Sequence, residues 1–373
     1  MARKKYSFNY AYENLDLVLN QKREIKPSFV NYTSDLTYDI RVYKHFFDSI
    51  DKEIEKETEK EKLVIVKDVL QEQGRQFMSF FDNKLDDLNN EVKNFSKKEH
   101  EKHGFYLRKQ IWDIILTSQF LTRTNTKPRG YSGDSQILAM IYDNEYVGKT
   151  IFSKIMHKHP IETTAAQAVR TRRGFISKLL RSLYEERFSK INESLKFLSV
   201  ACGSAVELQD IFKAKEDAGK FECTLLDQDI LALNEAKENI QKINEYLKRK
   251  IKVNFFIESV RTMFSGESDL VNKEQFHFIY ALGLFDYLTL PTAKVVLRRL
   301  YDMLKPNGKL LIGNFHFSNP TLYYMEYWGD WVLYYRTEEE LLDLVSDIPN
   351  VRADIYFSSE VKCQMYLEVE KLA

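Results

Sequence analysis

Four polar clusters follow four apolar runs in the second half of the chain, at intervals typical of alternating strands and helices. The first cluster is the turn 202–204 (Cys-Gly-Ser), and the second is the acidic pair Asp227 and Asp229. The third is 258–260 (Glu-Ser-Val), and the fourth is 283–287 (Gly-Leu-Phe-Asp-Tyr). Because the carboxyl ends of parallel strands meet at one edge of a sheet, we expect the four clusters to meet there.

This set of residue types suits a nucleoside. Backbone N–H groups of a tight turn hold a ligand, an acid after the second strand accepts both ribose hydroxyls, and a polar side chain after the third meets adenine. Gly203 could equally close a turn, and Asp227 could cap the next helix. The order and spacing of the clusters favour ligand binding. The candidate cofactor-binding residues here are Ala201, Cys202, Gly203, Glu207, Asp227, Asp229, Ser259, Val260 and Gly283.

A dinucleotide is the obvious alternative ligand, and the first turn disfavours it. Dinucleotide sites carry G-x-G-x-x-G after the first strand, whereas this chain has Ala201, Gly203 and Ala205. The missing glycines matter less for S-adenosylmethionine (SAM), because no pyrophosphate has to approach the turn.

Strands and helices alternate after residue 192, which predicts an α/β fold with a doubly wound, mostly parallel Rossmann-like sheet. Strands are predicted at 197–201, 221–226, 251–257, 277–282, 309–314, 353–357 and 364–369, and helices between them at 205–215, 230–246, 291–304 and 337–346. Only six residues separate the last two strands, too few for a helical crossover, so they should form an antiparallel C-terminal hairpin.

Residues before 190 have helical periodicity and predict an all-α N-terminal domain. Within them, the stretch 127–134 gathers a proline, two glycines, Arg129 and Asp134, which indicates an ordered loop between helices. We therefore predict a helical N-terminal domain over 1–126, a helical lid or connector over 127–190 and a ligand-binding domain over 191–373. The lid hypothesis adds Tyr131 and Asp134 to the cofactor-binding candidates.

Composition narrows the function class. The chain has 55 basic and 55 acidic residues, so its neutral net charge disfavours a nucleic-acid partner. Its three cysteines are far apart, which argues against a disulfide framework or a cysteine-based metal site and suits a reducing cytoplasm. No apolar run reaches 18 residues and no apolar segment follows the basic start. We expect a cytoplasmic protein with no transmembrane segment, no metal and a small-molecule substrate.

Several motifs, in order from about 127 to 337, resemble one family. They are Arg129-Gly-Tyr-Ser-Gly-Asp134, Ala168-Val-Arg-Thr-Arg172, Ser199-Val-Ala-Cys-Gly203 with Glu207, Leu226-Asp-Gln-Asp229, Gly283-Leu-Phe-Asp-Tyr-Leu288, Gly313-Asn-Phe315, Met325-Glu326 and Trp331-Val-Leu-Tyr-Tyr-Arg336-Thr337. The region 196–370 resembles class I SAM-dependent methyltransferases. More narrowly, the chain is similar to the bacterial extracellular-factor 3-hydroxypalmitic acid methyl ester biosynthesis proteins. This resemblance implies SAM as cofactor and methyl transfer to an acid, for example a hydroxy fatty-acid carboxylate.

The chain departs from the class I pattern at the first turn, where an acid usually occupies the position of Ser199 and glycines those of Ala201 and Ala205. Glu207 could replace the acid by contacting the methionine ammonium group, or it could only interact with a helix N-terminus. A second function class therefore stays open: a non-catalytic module that binds SAM or a partner through a degenerate methyltransferase fold.

The candidate catalytic residues are Asp286, Tyr287 and His316. A carboxylate acceptor requires no base, whereas a hydroxyl or amine does, and His316 is the best-placed histidine for that role. Four arginines, Arg170, Arg172, Arg173 and Arg336, could clamp an acidic substrate through forked hydrogen bonds. Arg170 shares a helix face with Arg173, whereas Arg172 points elsewhere. The candidate substrate-binding residues are Arg170, Arg336, Asn314 and Glu326.

Overall fold

A computed structural model describes residues 24–259, 262, 275–357 and 362–372. Helices run over Pro27–Glu53 (α1), Glu59–Gln71 (α2), Gln73–Val92 (α3), Lys97–Gln110 (α4), Trp112–Ile115 (α5), Gln119–Thr126 (α6), Ser135–Asp143 (α7), Ile151–Glu162 (α8), Thr164–Arg187 (α9), Leu208–Ile211 (α10), Asp217–Lys220 (α11), Ile230–Leu247 (α12), Leu290–Asp302 (α13), Leu322–Gly329 (α14) and Glu338–Leu342 (α15). Strands run over Leu195–Val200 (β1), Phe221–Asp227 (β2), Lys252–Ile257 (β3), Phe276–Ala281 (β4), Leu304–Phe315 (β5), Val351–Phe357 (β6) and Gln364–Lys371 (β7).

The seven strands form one sheet in the order β3-β2-β1-β4-β5-β7-β6. The first five pair in parallel, and β7 is antiparallel to both β5 and β6. Among the described residues, none before Leu195 lies in a strand. The predicted α/β fold, with a mostly parallel Rossmann-like sheet, an antiparallel C-terminal hairpin and a helical N-terminal region, is confirmed.

Both faces of the sheet are covered by helices, as alternation along β1 shows. Phe197 faces a cluster that includes Ile176 of α9, whereas Leu198 faces a cluster that includes Val296 of α13. All four of these side chains are completely buried. Burial on both faces explains why β1 is an unbroken apolar run in the sequence rather than an alternating one.

The chain divides into two compact units. The helical unit contains the described residues up to Lys127 together with 145–160 and 323–331. The sheet unit contains 128–144 and the described residues within 161–322 and 332–373. The helical unit has an aromatic core of its own. Phe77 stacks on Phe81 with ring centroids 5.9 Å apart, and Trp328 meets Phe81 edge-on at 4.8 Å. Such ring pairs add to the apolar burial that holds these helices together.

The helix predicted over 205–215 is present but shorter than predicted. Only Leu208–Ile211 is helical, and the chain then turns away from the helix axis at Phe212. The buried carboxylate of Asp217 explains the early end, because its Oδ2 accepts the N–H groups of Lys213 and Ala214 at 2.9 and 2.8 Å. These donors are thereby unavailable to a continuing helix, since a short polar side chain competes with the backbone for such bonds.

In the ranges that the structure describes, no helix combines the length and the apolar character needed to cross a membrane.

Candidate functional site

The turn after β1 contains three residues in the left-handed backbone region. They are Ala201 (φ 52°), Gly203 (φ 56°) and Ala205 (φ 50°). Left-handed backbone costs an alanine about 1 kcal/mol or more because its Cβ crowds the following carbonyl oxygen. The turn therefore keeps a backbone that suits glycine at three positions, although two of them carry alanine.

Asp227, at the end of β2, joins this turn to the start of α12. Its Oδ2 accepts the Gly203 N–H at 2.8 Å, and its Oδ1 accepts the Asp229 N–H at 2.9 Å. The side chain is buried, and burial raises the pKa of its carboxyl above the usual range. Each carboxylate oxygen has a second lone pair. Asp227 can therefore hold the turn and still accept a further donor.

Asp229 combines two contacts. Its Oδ1 accepts the Leu231 N–H at 2.9 Å, which makes Asp229 the N-cap of α12, and its Oδ2 lies 3.1 Å from Arg129 Nη1. The capping role considered for Asp227 in the sequence thus belongs to Asp229.

Glu207 lies beside the position where an acid is usual. Its Oε1 accepts the Tyr280 hydroxyl at 2.8 Å, and the Ser199 hydroxyl lies 3.5 Å from the same oxygen. Burial raises the pKa of the Glu207 carboxyl. A carboxylate therefore stands next to Ser199, as the replacement hypothesis requires.

The segment 128–144 is held on α12 by a hydrogen-bonded network around Arg129. Its Nη1 bonds to Ser135 Oγ at 2.6 Å and to Asp229, and its Nη2 bonds to Glu235 Oε1 at 2.6 Å. Gln136 Nε2 also donates to Glu235 Oε1, at 2.8 Å. Sequence reasoning missed Glu235, because nothing in a regular surface helix distinguishes one glutamate from its neighbours.

The same segment covers the turn. A Cβ placed on Gly203 would lie 3.9 Å from Leu138 Cδ1, on α7. The Tyr131 ring meets the Tyr287 ring edge-on at 6.4 Å, and burial, together with the charge of Asp227, raises the pKa of Tyr131. Tyr131, a predicted cofactor-binding residue, thus lies next to Tyr287, a predicted catalytic residue.

Asp134 caps α7. Its Oδ1 accepts the Gln136 and Ile137 N–H groups at 3.1 and 3.0 Å, and its side chain is completely buried. Ser259 follows β3, where its N–H donates to Thr262 Oγ1 at 3.0 Å. Val260, the remaining candidate of that cluster, lies outside the described residues. The buried Cys202 thiol lies 3.5 Å from the Gly203 carbonyl oxygen.

Asp286 follows β4 and is buried at the carboxyl edge of the sheet. Its Oδ1 accepts the Phe315 N–H at 2.7 Å, and its carbonyl accepts the Tyr334 N–H at 2.7 Å. Burial raises the pKa of its carboxyl to about 6, although Arg172 and Arg336 oppose that shift. A carboxyl with this pKa can exchange a proton near neutral pH.

Arg172, one of the candidate clamp arginines, lies at the carboxyl edge of the sheet. Arg172 is buried at the site, where its Nη1 donates to the Leu282 carbonyl at 3.1 Å and would lie 3.7 Å from a Cβ on Gly283. Burial raises the pKa of Tyr142, and the charge of Arg172 opposes that shift. Arg170 instead donates to the carbonyls of Ile161 and Ile141, at 2.5 and 3.3 Å.

Arg336 and Asn314 are bound to each other and to the backbone. Arg336 Nη1 donates to Asn314 Oδ1 and, at 2.8 Å, to the Phe285 carbonyl, while Nη2 donates to the Leu288 carbonyl at 2.5 Å. Asn314 Nδ2 donates to the Tyr334 carbonyl at 3.1 Å. These bonds favour a structural role for both residues over the predicted substrate-binding role.

His316 uses both ring nitrogens. The Ser318 N–H donates to Nδ1 at 3.1 Å, so Nε2 carries the proton that faces Glu338 Oε2 at 3.0 Å. This arrangement leaves no ring lone pair for the predicted role of general base.

Glu326 belongs to the helical unit. Burial raises the pKa of its carboxyl to about 7, although Arg108 opposes the shift. Arg108 Nη1 also donates to the Glu326 carbonyl at 2.9 Å. These contacts explain why Glu326 is held in the helical unit, and its predicted role in substrate binding stays a prediction.

No protein-family model matches the sequence, and a search of curated proteins finds no match. Solved structures do resemble the chain. One is a possible exported protein from Bordetella parapertussis, with 14% identity, a TM-score of 0.47 and coverage of 64% of this chain and 80% of that one. Another is the CurJ carbon methyltransferase, with 13% identity, a TM-score of 0.47 and coverage of 73% and 71%. A third is magnesium protoporphyrin IX methyltransferase from Synechocystis PCC 6803 with bound SAM, with 12% identity, a TM-score of 0.38 and coverage of 56% and 84%.

Proposed function

We propose that the sheet unit binds SAM and transfers its methyl group to a small-molecule acceptor. The observation that carries this proposal is the bond between Asp227 Oδ2 and the Gly203 N–H, which joins the acid after β2 directly to the turn after β1. A strand order of 3-2-1-4-5-7-6 with β7 antiparallel supports the proposal, because class I methyltransferases have this arrangement. Ligands of doubly wound sheets bind at the carboxyl ends of the strands, where the strand order reverses. In this sheet the order reverses between β1 and β4.

The residues present fit the chemical groups of SAM. Asp227 retains lone pairs for the ribose hydroxyls, and the Glu207 carboxylate suits the ammonium group of the methionine end. Arg172 suits the carboxylate of that end. Among the described residues, no carboxylate forms a direct ion pair with Arg172, although the charges of Asp286 and Glu207 act on it. A buried guanidinium without a carboxylate in contact favours an anionic ligand. The charges of the site thus complement the two charges of an amino-acid group.

When bound, SAM supplies a methyl group activated by its sulfonium. In-line displacement depends mainly on alignment and on exclusion of water, which the buried edge of the sheet provides. We assign Asp286 and Tyr287 to the reaction centre. Asp286, with its pKa of about 6, could accept the proton of a hydroxyl or amine, whereas a carboxylate acceptor requires no such step.

We propose that the helical connector over 127–190 acts as a lid over the SAM site. The contacts of 128–144 support this role, because Arg129 ties the segment to Asp229 and Glu235, beside the acid of the proposed ribose site. Tyr131 and Asp134 would then lie at the ligand. The acceptor that we favour is an acid such as a hydroxy fatty acid. A cytoplasmic location suits the three cysteines, which are all free and buried.

Calorimetric titration with SAM and with its demethylated product tests the proposal. We expect both to bind, and we expect methyl-labelled SAM to yield labelled acid in the presence of enzyme. The proposal would be contradicted if neither SAM nor its demethylated product binds. Tight binding without transfer to any acceptor would favour the alternative, a non-catalytic SAM-binding module, which the alanines at 201 and 205 motivate.

A further inference from the structure

Two polar atoms on β7 are buried without a hydrogen-bond partner among the described residues. They are Oε1 of Gln364 and the hydroxyl of Tyr366, in residues that are 0% and 1% exposed. Most buried polar atoms in folded proteins have a partner, because an unpaired one forfeits its bonds to water. Two such atoms on one strand therefore point to a ligand.

Both residues lie near the edge of the sheet where the proposed site is found. Gln364 is paired with Phe315 at the carboxyl end of β5, and Tyr366 is paired with Gly313. Gln364 Nε2 lies 3.5 Å from the Leu282 carbonyl, the same oxygen that accepts from Arg172. The Gln364 amide and the Arg172 guanidinium thus meet at one carbonyl oxygen.

The orientation of the Gln364 amide follows from its neighbour. The Leu282 carbonyl can only accept, so the amide nitrogen must face it, and the reverse orientation would set two oxygens against each other. Gly313 keeps the space for this amide, since a Cβ there would lie 3.2 Å from Gln364 Nε2 and 3.0 Å from the Leu282 oxygen. Oε1 is therefore a fixed acceptor, and its partner must carry an O–H or N–H group.

The Tyr366 hydroxyl is held beside charged groups. Its ring stacks on Phe175 with centroids 5.0 Å apart, which fixes the direction of the hydroxyl. The charges of Arg172 and Asp286 act on that hydroxyl. A phenol can donate or accept, so it complements the Gln364 acceptor.

We propose that Gln364 and Tyr366 form the part of the acceptor subsite that sets specificity, by binding a hydroxyl or amino group that the acid carries beside its carboxylate. This group donates to Gln364 Oε1, and the Tyr366 hydroxyl binds it from the other side. The inference rests on the proposed methyl transfer from SAM and adds to it the chemistry by which the acceptor is selected. A site built to bind a donor discriminates strongly against an analogue that lacks it, because its own polar atoms are then left unpaired.

The test uses three acids of one chain length: decanoate, 3-hydroxydecanoate and 3-aminodecanoate. Wild-type enzyme with methyl-labelled SAM should have a kcat/KM at least about tenfold higher for one of the substituted acids than for decanoate. Gln364→Met and Tyr366→Phe should each reduce this preference about tenfold, through the KM of the substituted acid, and should leave the SAM affinity unchanged.

Tyr356→Phe is the matched control. Tyr356 is paired with Tyr366 on the neighbouring strand, and its hydroxyl is also buried without a partner among the described residues, but its ring lies on β6, one strand further from β5. Its substitution should preserve the preference, and thermal unfolding should show that all three variants fold. Equal use of the three acids, methylation of none of them, or a preference that survives both β7 substitutions would overturn the inference. Absence of SAM binding by wild-type enzyme would instead contradict the proposed function.

Discussion

The carboxylate of Asp227 accepts a hydrogen bond from the backbone N–H of Gly203 across 2.8 Å, between the ends of two neighbouring parallel strands. The bond explains how a turn with alanine at 201 and 205 stays in shape. A glycine-rich turn has conformational freedom to adopt left-handed backbone, whereas this turn is held there by an acid from the next strand. One carboxylate thus serves both the fold of the turn and the proposed ribose contact.

Asp227→Asn should therefore destabilise the protein as well as weaken SAM binding. The amide would direct its NH₂ group at a backbone N–H, which leaves a buried donor unpaired at a cost of about 1–3 kcal/mol. We expect a corresponding fall in the free energy of unfolding, and a SAM Kd raised by at least about tenfold. Urea denaturation and calorimetry measure the two effects. Asp354→Asn, at an exposed position on β6, is the control and should change neither. Unchanged stability in the Asp227 variant would refute the holding role.

Ala201→Gly should stabilise the protein. Ala201 is exposed and has φ 52°, so glycine relieves backbone strain without removing buried apolar surface. The strain, about 1–2 kcal/mol, exceeds the extra chain entropy of glycine, roughly 0.5–1 kcal/mol. We expect the free energy of unfolding to rise by about 0.5–1 kcal/mol. Ala139→Gly, within α7, should lower it by about 1 kcal/mol, and a fall in both variants would contradict the strained-turn account.

Most strands were predictable because they are short runs rich in apolar residues and bounded by polar or turn residues. The mostly parallel sheet followed from their alternation with helices. The end of α10 was not predictable, because it depends on Asp217 accepting N–H groups from a turn that local periodicity extends as helix. Boundaries of this kind depend on one side chain. Sequence periodicity does not register such a bond.

Arg129→Met should loosen the segment 128–144. The substitution removes contacts to Asp229 and Glu235, both of which are mostly buried, and leaves those carboxylates without their cation. We expect the free energy of unfolding to fall by about 3 kcal/mol and the amides of α7 to exchange hydrogen faster. Arg298→Met removes an exposed pair with Asp302 and should stay within about 0.5 kcal/mol of wild type. Equal exchange rates in the two variants would contradict the anchoring role of Arg129.

Asp286 should give the protein a pH-dependent stability. Its folded pKa of about 6 exceeds the usual value of an aspartate, so the folded state binds the proton more tightly than the unfolded state. The proton on Asp286 therefore stabilises the folded state by about 3 kcal/mol below about pH 4. This stabilisation is lost as the pH rises through about 6. Relative to Asp286→Asn, wild-type protein should therefore lose stability between pH 4 and 7. Urea denaturation at four pH values measures the difference, and a difference that is constant with pH would refute the raised pKa.

The candidate site shows where sequence reasoning reaches its limit. The acids after β1 and β2 were predictable, since the carboxyl ends of parallel strands lie at the same edge of a sheet. Gln364 was not, because its position depends on the pairing of β7 with β5. Arg172 was one of four candidate arginines, and its place at the site depends on the rotation of α9. Arg336 and His316 have residue types suited to ligand binding, yet the fold uses their polar groups internally, and only the structure shows which bonds they make.

Parallel titrations of the wild-type protein with SAM and with NAD test the central claim most directly. The account predicts a saturable heat with SAM at micromolar concentrations, none with NAD, and loss of the SAM signal in Asp227→Asn. Binding of NAD in place of SAM, or no binding of SAM by a folded wild-type protein, would contradict the assignment of the turn at 201–205.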